Sequence, residues 1–277
     1  MLPVKIGLVD TTGTVPMPAM AMVAAALNVQ VTRDLQQFWP VIATVCYLPD
    51  PNVIPQGVWP VLLVSTLPQE GGGFHLTVHN QPYAQVLVTP GSDEWTVDAS
   101  HETIEMLVDP FGNRLQTSTS IQIVGNDLQD GNEQYEYLVE ACDPCEADSC
   151  TYQIGGIRVS DFITPYFYDL LTIPGLRYSF TGAITRPREI LPGGYISWMN
   201  PQTNAMQQIL RLDPNAPPQC RDLGMATGAS LRAFVEKQTA KHVRAKRIGP
   251  TAEAQQARTA FRDAVTRAGQ ARAKHYI

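Results

Sequence analysis

Nowhere do the 277 residues hold an apolar run near the about 18 to 20 residues that a membrane span needs; the longest, Ala19 to Leu27, is nine residues. The chain is therefore expected not to cross a bilayer. The start, MLPVKIGLVD, has no basic stretch leading into an apolar one and no small-residue cleavage site, so no secretory signal is expected and a cytoplasmic location is the default expectation. Cysteine is scarce and odd in number, with Cys46, Cys142, Cys145, Cys150 and Cys220, which argues against a disulfide framework. Positive charge is missing from most of the chain. Up to Cys220 there are 8 Lys and Arg against 22 Asp and Glu, and after it 12 against 4. A body of 1–220 with an acidic surplus and a basic tail of 221–277 follow from that break. A disordered composition is absent too, since 44% of residues are hydrophobic and 17% charged.

Proline and glycine are plentiful, 22 and 20 residues, which points to short strands and many turns. Residues 4–9 (VKIGLV) read as a first strand and Met17 to Phe38, entered through two prolines, as a first helix. Val41 to Leu48 and Val58 to Thr66 read as strands, and His75 to Val88, with its alternation, as a strand or hairpin. A second helix is expected from a cap at Thr96 or Asp98 to Asp109, because the residue before Pro110 is driven out of the helical region. Residues 115–169 and 178–211 read as strands and turns, and 229–243 and 251–274 as Ala-rich basic helix. The fold class is α+β: a mixed β-sheet covered by helices, a strand-rich second part and a helical basic tail.

The chemistry concentrates in SHETIEMLVD, residues 100–109. At about 100° per residue, His101, Glu105 and Asp109 share one helix face. One ion can touch two of them. His-Glu-x-x-Glu is the carboxylate version of His-Glu-x-x-His, in which two ligands one turn apart hold zinc and the intervening Glu is general base; here that base is Glu102. The plainer alternative is a solvated acidic face. Further on, EACDPCEADSC packs Glu140, Cys142, Asp143, Cys145 and Glu146 together. Its Cys-x-x-Cys is half a zinc knuckle without a second half, or an acidic turn with incidental thiols. If the chain folds back, Glu140 or Asp143 supplies a third ligand. Such a set suits a divalent ion, zinc first, with manganese or calcium as alternatives.

SHETIEMLVDPFGN, then EACDPCE, then VSDFITPYFYD resembles a group of bacterial and phage-related proteins with the pattern S-H-E-x-x-E-x-x-x-D-P, which are similar to zincin metallopeptidases around the His-Glu helix. The resemblance covers roughly 96–169. It implies a zincin-like architecture, a metal at His101 and Glu105 and a base at Glu102. The order strand, helix, strand, strand, edge strand, His-Glu helix is also the zincin order, whose edge strand holds an extended peptide by β-augmentation. This sequence departs from the peptidase pattern in having Glu105 for the second His. Two functions are thus expected: a metal-dependent hydrolase acting on peptide bonds, intact or degenerate, or a non-enzymatic structural or virion-associated protein with a structural metal.

His75 and His79 alternate onto one strand face, where they read as half-solvated or as flanking a groove. Phe162, Tyr166, Phe167 and Tyr168 read as packing aromatics. The tail's Lys237, Lys241, Arg244, Lys246 and Arg247 offer phosphate or an acidic partner a positive patch, or form a solvated appendage.

Overall fold

The computed structural model describes residues 3–68, 71–89, 91–213 and 215–243. Its first layer is a five-stranded sheet of β1 (Val4–Asp10), β2 (Ala43–Leu48), β3 (Val58–Val64), β4 (Gly73–Val78) and β5 (Gln81–Leu87), in the order β2-β1-β3-β5-β4. The first four strands of that order run parallel and β4 is the antiparallel edge. Two helices, α1 (Met17–Val29) and α2 (Glu94–Val108), pack on the sheet and touch each other. Parallel strands buried on both faces read as unbroken apolar runs, which is why VKIGLV and VWPVLLV contain so little polar punctuation.

α1 continues through a π turn, Gln30–Asp34, into a single 3-10 turn. At the π turn Gln30 Nε2 donates to the Ser160 carbonyl at 2.9 Å, and Ser100 Oγ donates to Gln30 Oε1 at 2.7 Å. Buried polar groups joined in this way fix the two helices' relative register.

The second layer is an antiparallel sheet of β6 (Leu115–Val124), β7 (Asp127–Leu138), β10 (Tyr195–Met199), β11 (Ala205–Leu210) and β12 (Gln219–Met225), in the order β12-β11-β10-β7-β6. A small hairpin, β8 (Tyr152–Ile154) with β9 (Ile157–Val159), lies against both helices. One hydrophobic core runs through both layers, from Ile6, Leu27 and Val61 to Tyr137, Phe162, Phe167 and Trp198. The aromatics of the 162–168 segment thus pack as expected, with Tyr166 exposed.

Two expectations are corrected. The second helix begins at Glu94, ahead of both expected caps, because the Ser92 hydroxyl accepts the Glu94 N–H at 3.2 Å. Thr96 instead bonds inward, donating to the Asp93 and Arg158 carbonyls. The break at 220/221 falls inside β12, and α3 (Leu231–Val243) is docked on the body. Val235 is buried with Leu138 and Met206, and Leu231 and Phe234 pack around them. Opposite charge favours this docking, and the apolar side of α3 and Arg232 both have partners on the body. The helix expected over 251–274 lies outside the described residues. No helix among the described residues is long and apolar enough to cross a membrane.

Candidate metal centre

The plainer alternative for the polar face of α2 is a solvated acidic front. Of its 15 residues, 14 are buried, so it has no solvated front. Ile104, Met106, Leu107 and Val108 join the core, and the polar face is covered by three elements. The first is β4, whose Gly73 lies so close that a Cβ there would meet Glu102 Cγ at 2.8 Å and the Gln85 carbonyl at 3.0 Å; only glycine fits. The second is the turn after β7, where the Cys142 N–H donates to Glu105 Oε1 at 3.0 Å. The third is α3, latched through Gly112, whose carbonyl accepts the Arg232 N–H at 3.0 Å.

Beneath this cover, His101 Nε2 stands 3.2 Å from Glu105 Oε2 and 3.2 Å from Asp143 Oδ1. The helical phase read from the sequence is therefore realised, with the two side chains one turn apart on one face. His75 Nδ1 lies 3.2 Å from Glu102 Oε2 and 3.9 Å from Glu105 Oε2. Arg232, reaching in from α3, pairs with Glu105 and Glu140, and with Glu102 at 3.4 Å and Glu236 at 3.7 Å. Glu140 and Asp143 do fold back onto the helix, as expected. Asp109 does not join them: it closes α2, and its Oδ2 accepts the Arg114 N–H at 2.7 Å.

Burial and mutual repulsion decide the charges. Burial pushes the Glu102 carboxyl up to about 7, with Arg232 offsetting part of the rise, and pushes Glu236 up to about 8. Burial and the neighbouring Glu105 hold Asp143 well above the carboxylate range. For Glu105 burial is outweighed by Arg232 and His101, which hold it well below its ordinary value. The His101 imidazole is opposed by burial but held well above its ordinary value by Glu105, Cys142 and Asp143. Burial, then Arg232, lowers His75 to about 3, so its ring is neutral. Burial also raises the Cys142 thiol well above the usual range.

Three sets of donor atoms lie within 4.8 Å of one another: His101, Glu105 and Cys142; His75, Glu102 and Glu105; Glu105, Glu140 and Asp143. Each can hold a metal ion. The fit is supported by groups left unsatisfied: neither Asp143 Oδ2 nor His75 Nε2 has a hydrogen-bond partner among the described residues. Buried polar groups of this kind are paired in nearly all proteins, so a missing cation is a natural partner.

Four members escaped the sequence reading. His75 was read as half-solvated and is buried; the clue was the triplet Gly71–Gly73 ahead of it, which allows a strand to press on a helix. His79 sits at the hairpin turn, exposed, with φ 51°. Cys142 reads from sequence as half a zinc knuckle or an incidental thiol, not as a partner of the His101 helix. Arg232 and Glu236 lay in the tail; an arginine inside the apolar stretch LRAFV was the only signal. Of the basic patch, Lys237 is exposed on α3; the side chain of Lys241 and all of Arg244, Lys246 and Arg247 lie outside the described residues.

Comparison with protein-family models, with curated proteins and with solved structures returns no match.

Proposed function

We propose that this chain is a zincin-like metal-binding protein that is not an enzyme, a structural or virion-associated component whose ion, zinc before manganese or calcium, holds α2, the 140–145 turn and α3 together. One observation carries the reading: His101, Glu102, Glu105, Glu140 and Asp143 are all buried, whereas a catalytic ion needs an open position and a groove. Glu102, the residue that would move protons, is engaged by Arg232 and His75. His101 and Glu105 supply two ligands and Asp143 a third, since Glu140 is paired with Arg232.

A second reading, a hydrolase of peptide bonds, is favoured by Glu102 itself. A carboxyl titrating at about 7 suits a general base, and β4 is an antiparallel edge strand beside it. A bound ion would supply Lewis acidity there, while Glu102 would take and return a proton.

The test is metal content, melting temperature and peptide hydrolysis on the full chain and on Glu102→Gln. A structural ion gives stoichiometric metal in both proteins, no hydrolysis in either, and a melting temperature that falls on chelation. At about 1,000-fold excess over Kd a ligand of the folded state adds about 4 kcal/mol, on the order of 10 °C for a chain of this size. Hydrolysis by the parent that Glu102→Gln abolishes would replace the first reading with the second.

A further inference from the structure

We infer that Cys142 is a zinc ligand, completing with His101, Glu105 and Asp143 a closed four-donor site. This rests on the metal-binding reading above and deepens it by choosing the ion and the ligands.

The cluster has two poles that share Glu105. At one, the guanidinium of Arg232 faces Glu102, Glu105, Glu140 and Glu236. Those acids already have a cation, and Glu140 is bound to it. At the other pole, Cys142 Sγ, a His101 ring nitrogen and a Glu105 oxygen lie within 4.8 Å of one another, and Asp143 Oδ1 is 3.2 Å from His101 Nε2. On this side the facing positive charge is a proton on the His101 ring, which an entering ion replaces. Asp143 is 1% exposed; its Oδ1 faces that ring and its Oδ2 has no hydrogen-bond partner among the described residues.

The spacing fits. With Zn–N and Zn–O near 2.0 to 2.1 Å, two tetrahedral donors sit about 3.3 Å apart, against 3.2 Å from His101 Nε2 to each of Glu105 Oε2 and Asp143 Oδ1. The backbone holds the thiol in place, because the Cys142 N–H is anchored on the other Glu105 oxygen at 3.0 Å and its Sγ lies 3.8 Å from the His101 carbonyl. A thiolate with an imidazole selects zinc over calcium or manganese, which prefer oxygen. As the ion enters, the Cys142 S–H bond breaks, the sulfur electron pair goes to zinc and the proton leaves to solvent. His101 Nε2 gives up its proton in the same way.

The experiment loads the metal-free full chain with cobalt(II) as a coloured probe, then with zinc, for the parent, Cys142→Ser and Glu140→Gln. Expected are a thiolate-to-cobalt absorption band in the parent that zinc removes, no band in Cys142→Ser, and a loss of zinc affinity there at least as large as the about 10- to 100-fold that an outer-shell change costs. Glu140→Gln should keep the band and bind zinc within a few-fold of the parent. Cobalt uptake without the band, or an affinity lost in Glu140→Gln and kept in Cys142→Ser, overturns the assignment of Cys142 while leaving metal binding intact. No uptake of either ion by the parent overturns both. Should Cys142→Ser fail to fold, the variant with Cys46, Cys145, Cys150 and Cys220 all changed to Ser, which keeps Cys142 as its one thiol, must still show the band, and its absence there overturns the assignment.

Discussion

Asp161, a buried side chain outside the His101 cluster, is held by a different device. Its Oδ1 accepts the Phe162 N–H at 2.9 Å and the Thr181 N–H at 3.0 Å, and its Oδ2 accepts the Thr181 hydroxyl at 2.6 Å. Burial nonetheless raises its pKa, because these donors only partly replace water. Asp161→Ala would leave the buried Phe162 N–H unpaired, while the N–H of exposed Thr181 can turn to water, and should cost about 1 to 3 kcal/mol. Asp161→Asn keeps an acceptor for both and should cost far less. The sign with pH follows from the raised folded value: the stability that the protonated acid contributes is full below the unfolded pKa and is lost as pH rises through the folded one. Denaturant titrations should therefore show the parent losing ground to Asp161→Asn as pH rises, and a constant gap between the two would refute this account. Arg232 is the opposite case, a buried cation set among four carboxylates. Arg232→Met strands Glu102, Glu105, Glu140 and Glu236 without their cation, and the expected loss is about 3 to 5 kcal/mol, as for breaking a buried ion pair from one side; a melting temperature within 2 °C of the parent, a shift of about 1 kcal/mol or less, would show that the acids simply take up protons instead.

At the scale of elements, what could be read from sequence was what depends on local pattern. The strands at 4–10, 43–48 and 58–64 and the end of α2 before Pro110 follow from apolar runs and from proline sterics. His101 and Glu105 follow from helical phase alone. Of that face's partners, Glu140 and Asp143 were legible on the condition that the chain folds back, whereas His75, Cys142 and Arg232 were hidden, because no spacing connects them to the helix. A buried arginine looks, in sequence, like any other surface charge. What docks α3 is one backbone position. Gly112 has φ 64°, and a Cβ there would collide with Ser230 Oγ and meet Arg232 Cβ at 2.9 Å. Gly112→Ala combines a left-handed backbone with that collision and should cost about 1 to 3 kcal/mol. Its effect should be local: hydrogen exchange of the α3 amides should speed up more than that of β1 or β3, in proportion to the opening free energy lost. Equal acceleration everywhere would mean that α3 is not a separate latch.

For the whole molecule, the change of charge sign at 220 suggested a body that could stand without its tail, and the packing predicts otherwise. Cutting after Cys220 removes most of β12, whose register with β11 runs from Gln219 to Met225, and so leaves β11 as a bare edge. It also removes Val235 from its cluster with Leu138 and Met206, and Arg232 from four carboxylates. Loss of the arginine is about 3 to 5 kcal/mol by itself, and the exposed apolar side chains add about 1.5 to 3 kcal/mol for each one fully uncovered. Domains have about 5 to 15 kcal/mol in total, so residues 1–220 alone should be unfolded or aggregated near 37 °C. A chain ending at Val243 keeps every one of these contacts and should melt within a few degrees of the full protein, in one cooperative transition because one core spans both sheets. Thermal unfolding of the two truncations beside the full chain decides the matter. A 1–220 fragment that melts cooperatively at the parent's temperature would restore the acidic body as an independent unit and reduce α3 to an accessory.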